Sequence, residues 1–206
     1  IPVDHKSYVG TFGTHGQRHA NFAIQNADFV LSLGSRLDTK STGTPVNSFA
    51  REATRVMVDV DEKEIKKFEH FDLSLHLGIH CNLKQFFILA GSYDQKVKRN
   101  LRWANKILSW KSEFDAFDNT SRSVSTGLAP YAIVKELFEI APKKTQFFLD
   151  TGATLAWSMQ SFLPDSGKRV FHDFNNTAMG WALPACFGAW TIDKGKPYFC
   201  LSGDGS

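Results

Sequence analysis

Cysteine is scarce in this sequence, and what there is does not pair. Cys81, Cys186 and Cys200 are odd in number, far apart and in apolar surroundings. That pattern excludes a disulfide framework or a cysteine-based zinc site. It predicts buried free thiols in a reducing compartment: cytoplasm or, in a eukaryote, an organelle stroma or matrix. No apolar run approaches the roughly 20 residues of a membrane span, and no signal peptide is visible. A membrane partner is therefore not expected. Charge of one sign is lacking too. The chain carries 24 Lys and Arg against 21 Asp and Glu, a net +3, which is too little to point to nucleic acid. No Gly-x-Gly-x-x-Gly follows any apolar run, which argues against an NAD-dependent dehydrogenase. His15 and His19 are four apart, as are His76 and His80, but the first pair reads His15-Gly16-Gln17-Arg18-His19. The glutamate of a zinc protease is missing.

What is present is apolar mass: 42% hydrophobic residues, 18 of them Phe, in 206 residues. That suffices for one large or two small domains. The chain opens on Ile and stops within a loop, as a piece of a longer protein would.

Strand-like and helix-like stretches alternate along the chain, the pattern of a parallel sheet with crossover helices. In the first part, Gly10 to Gly16 is a glycine-rich loop, and a helix is expected from about Arg18 to Asn26, with Phe22, Ala23 and Ala27 inward. Strands follow at Asp28–Leu33, Arg55–Val60 and Leu73–Leu77, with helices at Glu62–Phe68 and Cys81–Leu89, the latter closed by Gly91. Ile1 to Val3 reads as the end of a further strand. The chemistry sits at strand ends. Gly13, Gly16 and Gly34 would let backbone amides approach a pyrophosphate. Arg36 suits a bidentate phosphate contact. Asp59 or Asp61 could accept hydrogen bonds from a ribose or an adenine.

Residues 91–127 read as a linker and entry helix; their basic run, Lys96 to Arg102, is a solvated helix face. Beyond it, Pro130 suits a helix start, with Ile133, Val134, Leu137 and Phe138 as its buried stripe. Strands are expected at Gln146–Leu149, Arg169–His172 and Pro197–Leu201. Helices are expected at Leu155–Phe162 and Ala182–Trp190, the second rich in small residues that pack closely on a sheet. The last strand runs into Ser202-Gly203-Asp204-Gly205-Ser206. Two glycines there remove side chains, and the carboxylate between them is a hard oxygen ligand for Mg²⁺ or Ca²⁺. This loop and Asp150-Thr151-Gly152-Ala153-Thr154 could flank one phosphate site. The fold class expected is α/β: two doubly wound parallel-sheet, Rossmann-like domains, both incomplete in this chain.

Several motifs in order, at matching spacing, resemble one family. They are Gly13-Thr14-His15-Gly16 with Ala20-Asn21-Phe22-Ala23, Asn26-Ala27-Asp28, Gly34-Ser35-Arg36-Leu37-Asp38 and Asp59-Val60-Asp61. Then come Ala178-Met179-Gly180-Trp181-Ala182-Leu183-Pro184-Ala185 and Gly203-Asp204-Gly205-Ser206. The chain resembles the large subunit of acetolactate synthase among the thiamine-diphosphate enzymes. The resemblance implies that residues 1–90 are the later part of a central domain of the FAD- or nucleotide-binding type. Residues 128–206 would be the first half of the diphosphate-binding domain. It implies FAD, in a structural role, at His15, Gly34, Arg36, Asp38 and Asp59. It implies thiamine diphosphate at Gly152, Ala153, Thr154, Gly203, Asp204, Gly205 and Ser206, with Asp204 as a Mg²⁺ ligand. Met179 would lie beneath the thiamine, and the Thr177 carbonyl would accept from its amino group; these are the two catalytic candidates.

The reaction implied is decarboxylation of a 2-oxo acid and carboligation to a second carbonyl, with pyruvate to 2-acetolactate, a step of branched-chain amino acid biosynthesis, as the leading case. Alternatives are another 2-oxo acid or an acyl-CoA, or a non-catalytic nucleotide-binding relative. The family usually carries a Gly-Gln-His-Gln-type loop where this chain has Gly152-Ala153-Thr154-Leu155, Phe-Asp-Asp-Arg where it has Leu37-Asp38-Thr39-Lys40, and Gly-Asp after the next strand where it has Gly78-Ile79. The implied partners are a 2-oxo acid, a second copy in a homodimer or homotetramer, and room for a regulatory subunit. The glutamate that activates the cofactor belongs to a domain outside these residues, so the 206 residues alone are expected to be inactive.

Overall fold

The computed structural model describes residues 5–93, 100–115, 129–162 and 167–206. The expectations for Ile1–Val3, most of the basic run and the polar loop Asp118–Ser123 lie outside them. The chain divides into two compact units. One comprises Phe12–Thr14 and His19–Ser112; the other comprises Ile1–Thr11, His15–Arg18 and Glu113–Ser206.

The first unit holds helix α1 (Arg18–Gln25), strand β1 (Phe29–Leu33), the short helix α2 (Thr39–Thr42) and strand β2 (Thr54–Asp59). Helix α3 (Glu62–Lys66), strand β3 (Leu77–His80), helix α4 (Leu83–Ser92) and helix α5 (Leu101–Glu113) follow. The strands form a parallel sheet in the order β1-β2-β3, with Leu33 opposite Val58 and Asp59 opposite His80. Because the order runs one way, right-handed crossovers place both connections on one face. Val30, Ser32, Arg55, Met57 and Asp59 share that face by strand alternation, and all are buried. Phe49, Ala50, Ala53 and Phe68 from the crossovers complete its core. Phe29 and Leu31, on the other face, remain 53% and 41% exposed.

Four expectations shift here. The third strand is not Leu73–Leu77 but Leu77–His80. Leu73 and Leu75 pack on the core from the preceding loop, so their alternation reflects burial without pairing. Gly91 lies inside α4, whose C-cap is Tyr93. Phe22 is exposed, and His19 and Ala20 are the buried residues of α1. Gly78 and Ile79 fall within β3, so the positions after the strand are Cys81 and Asn82. Asn82 caps α4 by accepting from the Lys84 N–H at 2.8 Å.

The second unit holds helix α6 (Pro130–Ile140), strand β4 (Gln146–Leu149), helix α7 (Ala153–Ser161), strand β5 (Arg169–His172), helix α8 (Ala182–Ile192) and strand β6 (Tyr198–Leu201). Pro130 occupies the first turn of α6, where its missing N–H costs nothing. Val134 and Phe138 are buried, but Ile133 is 47% exposed and leaves the predicted stripe. The sheet is parallel, in the order β5-β4-β6. Its two faces differ by alternation. Phe147, Leu149, Val170, Phe199 and Leu201 join the core built with Val134, Phe138 and Leu155. Phe148 turns the other way, toward Phe171, Trp181 and Tyr198. The Tyr198 hydroxyl donates to the carbonyls of Ala189 in α8 (3.3 Å) and of Asp193, its C-cap (2.7 Å). Helices therefore cover both faces, the doubly wound arrangement. The N-terminal segment of this unit docks on α7: Thr11 Oγ1 donates to the Met159 carbonyl (3.3 Å) and Gln17 Nε2 to that of Gln160 (3.2 Å).

The three cysteines are free, but each is only partly buried, not enclosed as expected. No helix among the described residues is long and apolar enough to cross a membrane.

Candidate functional site

In the second unit the chain leaves β4, crosses to β5 on one side, then returns past β4 to β6 on the other. The strand order thus reverses at β4. In an open α/β sheet the crevice outside the carboxyl ends at such a reversal is where ligands bind. Parallel pairing brings the loop after β4 beside the loop after β6: the Asp150 N–H donates to the Leu201 carbonyl at 2.9 Å. Gly152 has φ +94°, which a side chain would strain, and an added Cβ would meet nothing within 4 Å. It opens α7, so the first amide groups of that helix, at Ala153 and Thr154, have no acceptor within the helix. Gly203, Asp204, Gly205 and Ser206 are all exposed, and a Cβ on Gly203 would also meet nothing.

The loop after β5 closes the third side. Thr177 has φ +50°, a conformation that strains a β-branched residue by roughly 1–3 kcal/mol. Its N–H donates to the Asp173 carbonyl at 2.9 Å. Met179 is 67% exposed, and its Cε lies 3.3 Å from where a Cβ on Gly205 would stand. A Cβ on Gly180 would come within 3.9 Å of the Ser206 backbone. Thus Gly152, Ala153, Thr154, Thr177, Met179, Gly203, Asp204, Gly205 and Ser206 gather at one end of one sheet.

One member of this cluster was not singled out from the sequence. Asp150 is 1% exposed, and its carboxylate accepts from the Thr151 N–H (2.8 Å) and, through both oxygens, from the Gly180 N–H (3.0 and 3.2 Å). The available signal was an acid closing a wholly buried strand just before a glycine. Nearby, burial holds the Cys200 thiol above its ordinary range, reinforced by Cys186 and then by Asp150. His172, at the end of β5, lies edge-on to Phe174. Burial pushes its imidazole below the ordinary value against the pull of Asp173, and His15 adds to that lowering.

The residues expected to contact a nucleotide behave differently. Gly34 (φ +57°) follows β1, and a Cβ there would strike Leu83 at 2.8 Å. Arg36 pairs with Glu64 (2.9 Å), and its carbonyl accepts from Lys67. Asp38 caps α2 by accepting from the Ser41 N–H at 3.0 Å and its hydroxyl at 3.2 Å. Buried Asp59 accepts from the Asp61 N–H at 2.9 Å, and Asp61 caps α3. Gly34, Arg36, Asp38 and Asp59 share the carboxyl end of the first sheet, whereas His15 belongs to the second unit, edge-on to Phe174. Gly13 is needed for close packing rather than an open amide: its N–H donates to Asn21 at 2.8 Å, and a Cβ would lie 2.6 Å from the Lys40 carbonyl. Among the described residues no group of three His, Cys, Asp or Glu could hold a metal ion.

Comparison with known proteins follows the same division. Residues 1–86 match the family described as thiamine pyrophosphate enzyme, central domain. Residues 150–206 match thiamine pyrophosphate enzyme, C-terminal TPP binding domain. The acetolactate synthase large subunit of Cyanidium caldarium is 30% identical over 97% of this chain and 33% of its own length. The acetolactate synthase isozyme 2 large subunit of Escherichia coli K12 is 27% identical over 100% of this chain and 35% of its own. Acetolactate synthase 1, chloroplastic, of Zea mays is 28% identical over 100% and 32%. The chain spans about a third of the length of these relatives.

Proposed function

Since the chain belongs to the thiamine pyrophosphate enzymes, we propose that the protein carrying it binds thiamine diphosphate with Mg²⁺, decarboxylates a 2-oxo acid and joins the retained fragment to a second carbonyl. Pyruvate, giving 2-acetolactate, is the leading substrate because the relatives above are acetolactate synthases. The observation that carries this reading is the meeting of the loops after β4, β5 and β6 where the strand order reverses.

The residues there fit the group. The bare, open positions of Gly152 and Gly203 let backbone approach a diphosphate. The first amides of α7, at Ala153 and Thr154, suit its negative charge. Asp204 would contribute one carboxylate to Mg²⁺, beside Gly205 and Ser206. Met179 presents an exposed apolar side chain as a platform under the thiamine, and Thr177 would orient it through its carbonyl. When bound, the cofactor supplies a thiazolium ring that takes up the electrons of the departing carboxylate. The chain's own work is to bind, orient and shield.

In the first unit, Gly34, Arg36, Asp38 and Asp59 would hold FAD or another adenine nucleotide. Arg36, Asp38 and Asp59 already have partners in the fold, so such binding would exchange those contacts. Assembly as a homodimer or homotetramer, a regulatory subunit and a cytoplasmic or organellar location belong to the same proposal.

The test is to supply the intact protein with thiamine diphosphate, Mg²⁺ and pyruvate. Carbon dioxide release with 2-acetolactate, lost on chelation of the metal, is the expected outcome. Product only from another 2-oxo acid would move the substrate. Binding without turnover of any 2-oxo acid would make the protein a non-catalytic relative.

A further inference from the structure

Asp150 is a costly residue to bury. A carboxylate removed from water must recover its solvation through hydrogen bonds, and this one does so through two backbone amides. One is local, from Thr151. The other comes from Gly180, 30 residues along the chain, and reaches both oxygens. A charged acceptor makes the stronger kind of hydrogen bond, so the turn at Gly180 is held firmly to the end of β4. That turn carries the strain of the site at Thr177, φ +50°, while Gly180 takes φ +80° without strain. Strain of this kind persists only where surrounding contacts over-determine it. Between these two positions stands Met179, exposed and laid against Gly205.

We infer that Asp150 is a positioning residue: its buried carboxylate clamps the Gly180 N–H and thereby sets the Met179 platform against the Gly203–Ser206 loop. The inference rests on the thiamine-diphosphate reading of this site and adds a division within it. Gly152, Ala153 and the Gly203–Gly205 loop address the diphosphate. Asp150 acts on the thiamine end, and only through Met179.

Two probes separate these parts in the intact protein, each titrated with Mg²⁺ and followed by tryptophan fluorescence, Trp181 standing two residues from Met179. They are thiamine diphosphate and inorganic pyrophosphate. In Asp150→Asn one carboxylate oxygen becomes a donor that opposes the Gly180 N–H. Affinity for thiamine diphosphate should fall about ten- to a hundredfold, while pyrophosphate affinity stays within about twofold of wild type. Gly180→Ala, which strains the same turn without touching Asp150, should give the same split. In a Met179→Gly background, Asp150→Asn should cost little further, since the two act as one unit.

Equal loss of both probes, or losses that simply add in the double variant, would overturn the inference and make Asp150 a general prop of the sheet. A wild-type protein that binds neither probe would instead overturn the reading of the site itself.

Discussion

The two sheets of this protein use the same parts to different ends. Each is parallel, each has three described strands, and each carries glycines and carboxylates at its carboxyl edge. In the β1-β2-β3 sheet the order runs one way, and the polar residues at the edge spend themselves on their own loops. Asp38 caps α2, Asp61 caps α3, and Arg36 pairs with Glu64. In the β5-β4-β6 sheet the order reverses, and the edge stays open. Asp204 and its glycines are exposed, and the buried carboxylate of Asp150 is consumed in shaping the turn opposite them. A glycine or an aspartate at a strand end is therefore not evidence of a site by itself. The reversal of strand order is what leaves a crevice for such residues to line.

The largest effect that could break this contrast is at Asp204. Asp204→Ala in the intact protein should lower turnover about a thousandfold, the scale for removing one preorganised electrostatic contact. It should barely move the melting temperature, because the side chain is exposed. A variant that kept its activity would remove the metal role from this loop. Next in size is Asp38→Ala in the other sheet. Loss of a helix cap should cost about 1 kcal/mol of stability, read by denaturant unfolding, and loss of a nucleotide contact should lower the flavin content per protein. Flavin content equal to that of wild type would show that Asp38 serves only as a cap and remove it from the nucleotide site.

The smallest effect is at His172. Its folded value lies below the ordinary 6.5, first because of burial. The unfolded chain therefore binds the proton more readily. The stability this neutral histidine contributes is present above about pH 6.5 and falls as pH drops toward its lowered folded value. His172→Gln should flatten that part of the pH–stability curve. A curve unchanged by the substitution would mean that His172 titrates in the fold as it does in the unfolded chain.

Much of the architecture was legible because its signals are local. Gln146–Leu149 and Arg169–His172 are strands where their apolar runs placed them, and Pro130 starts a helix because its ring suits only that turn. The misplacements have physical causes. Leu73 and Leu75 alternate because they reach the core from a loop, so periodicity reported burial and not pairing. Phe22 faces Trp110 (5.9 Å between centroids) and stays exposed. Gly91 did not stop α4, because glycine weakens a helix by only about 1 kcal/mol.

The site divides along the same line. The glycines and Asp204 could be picked out from spacing, since close approach of backbone to an anion needs bare residues in short loops. Asp150 could not, because its importance lies in a bond to Gly180 that exists only once β4 and the loop after β5 are folded side by side. His15 shows the converse: its motif reads with the nucleotide residues of the first part, yet the fold packs it against Phe174. Sequence alone determined most of the strands, where backbone can be bare, and which family the pattern resembles, because each depends on a few neighbouring residues. Only the tertiary structure decided which strand ends meet, which carboxylates are spent on caps and which remain open, because strand order joins residues far apart along the chain.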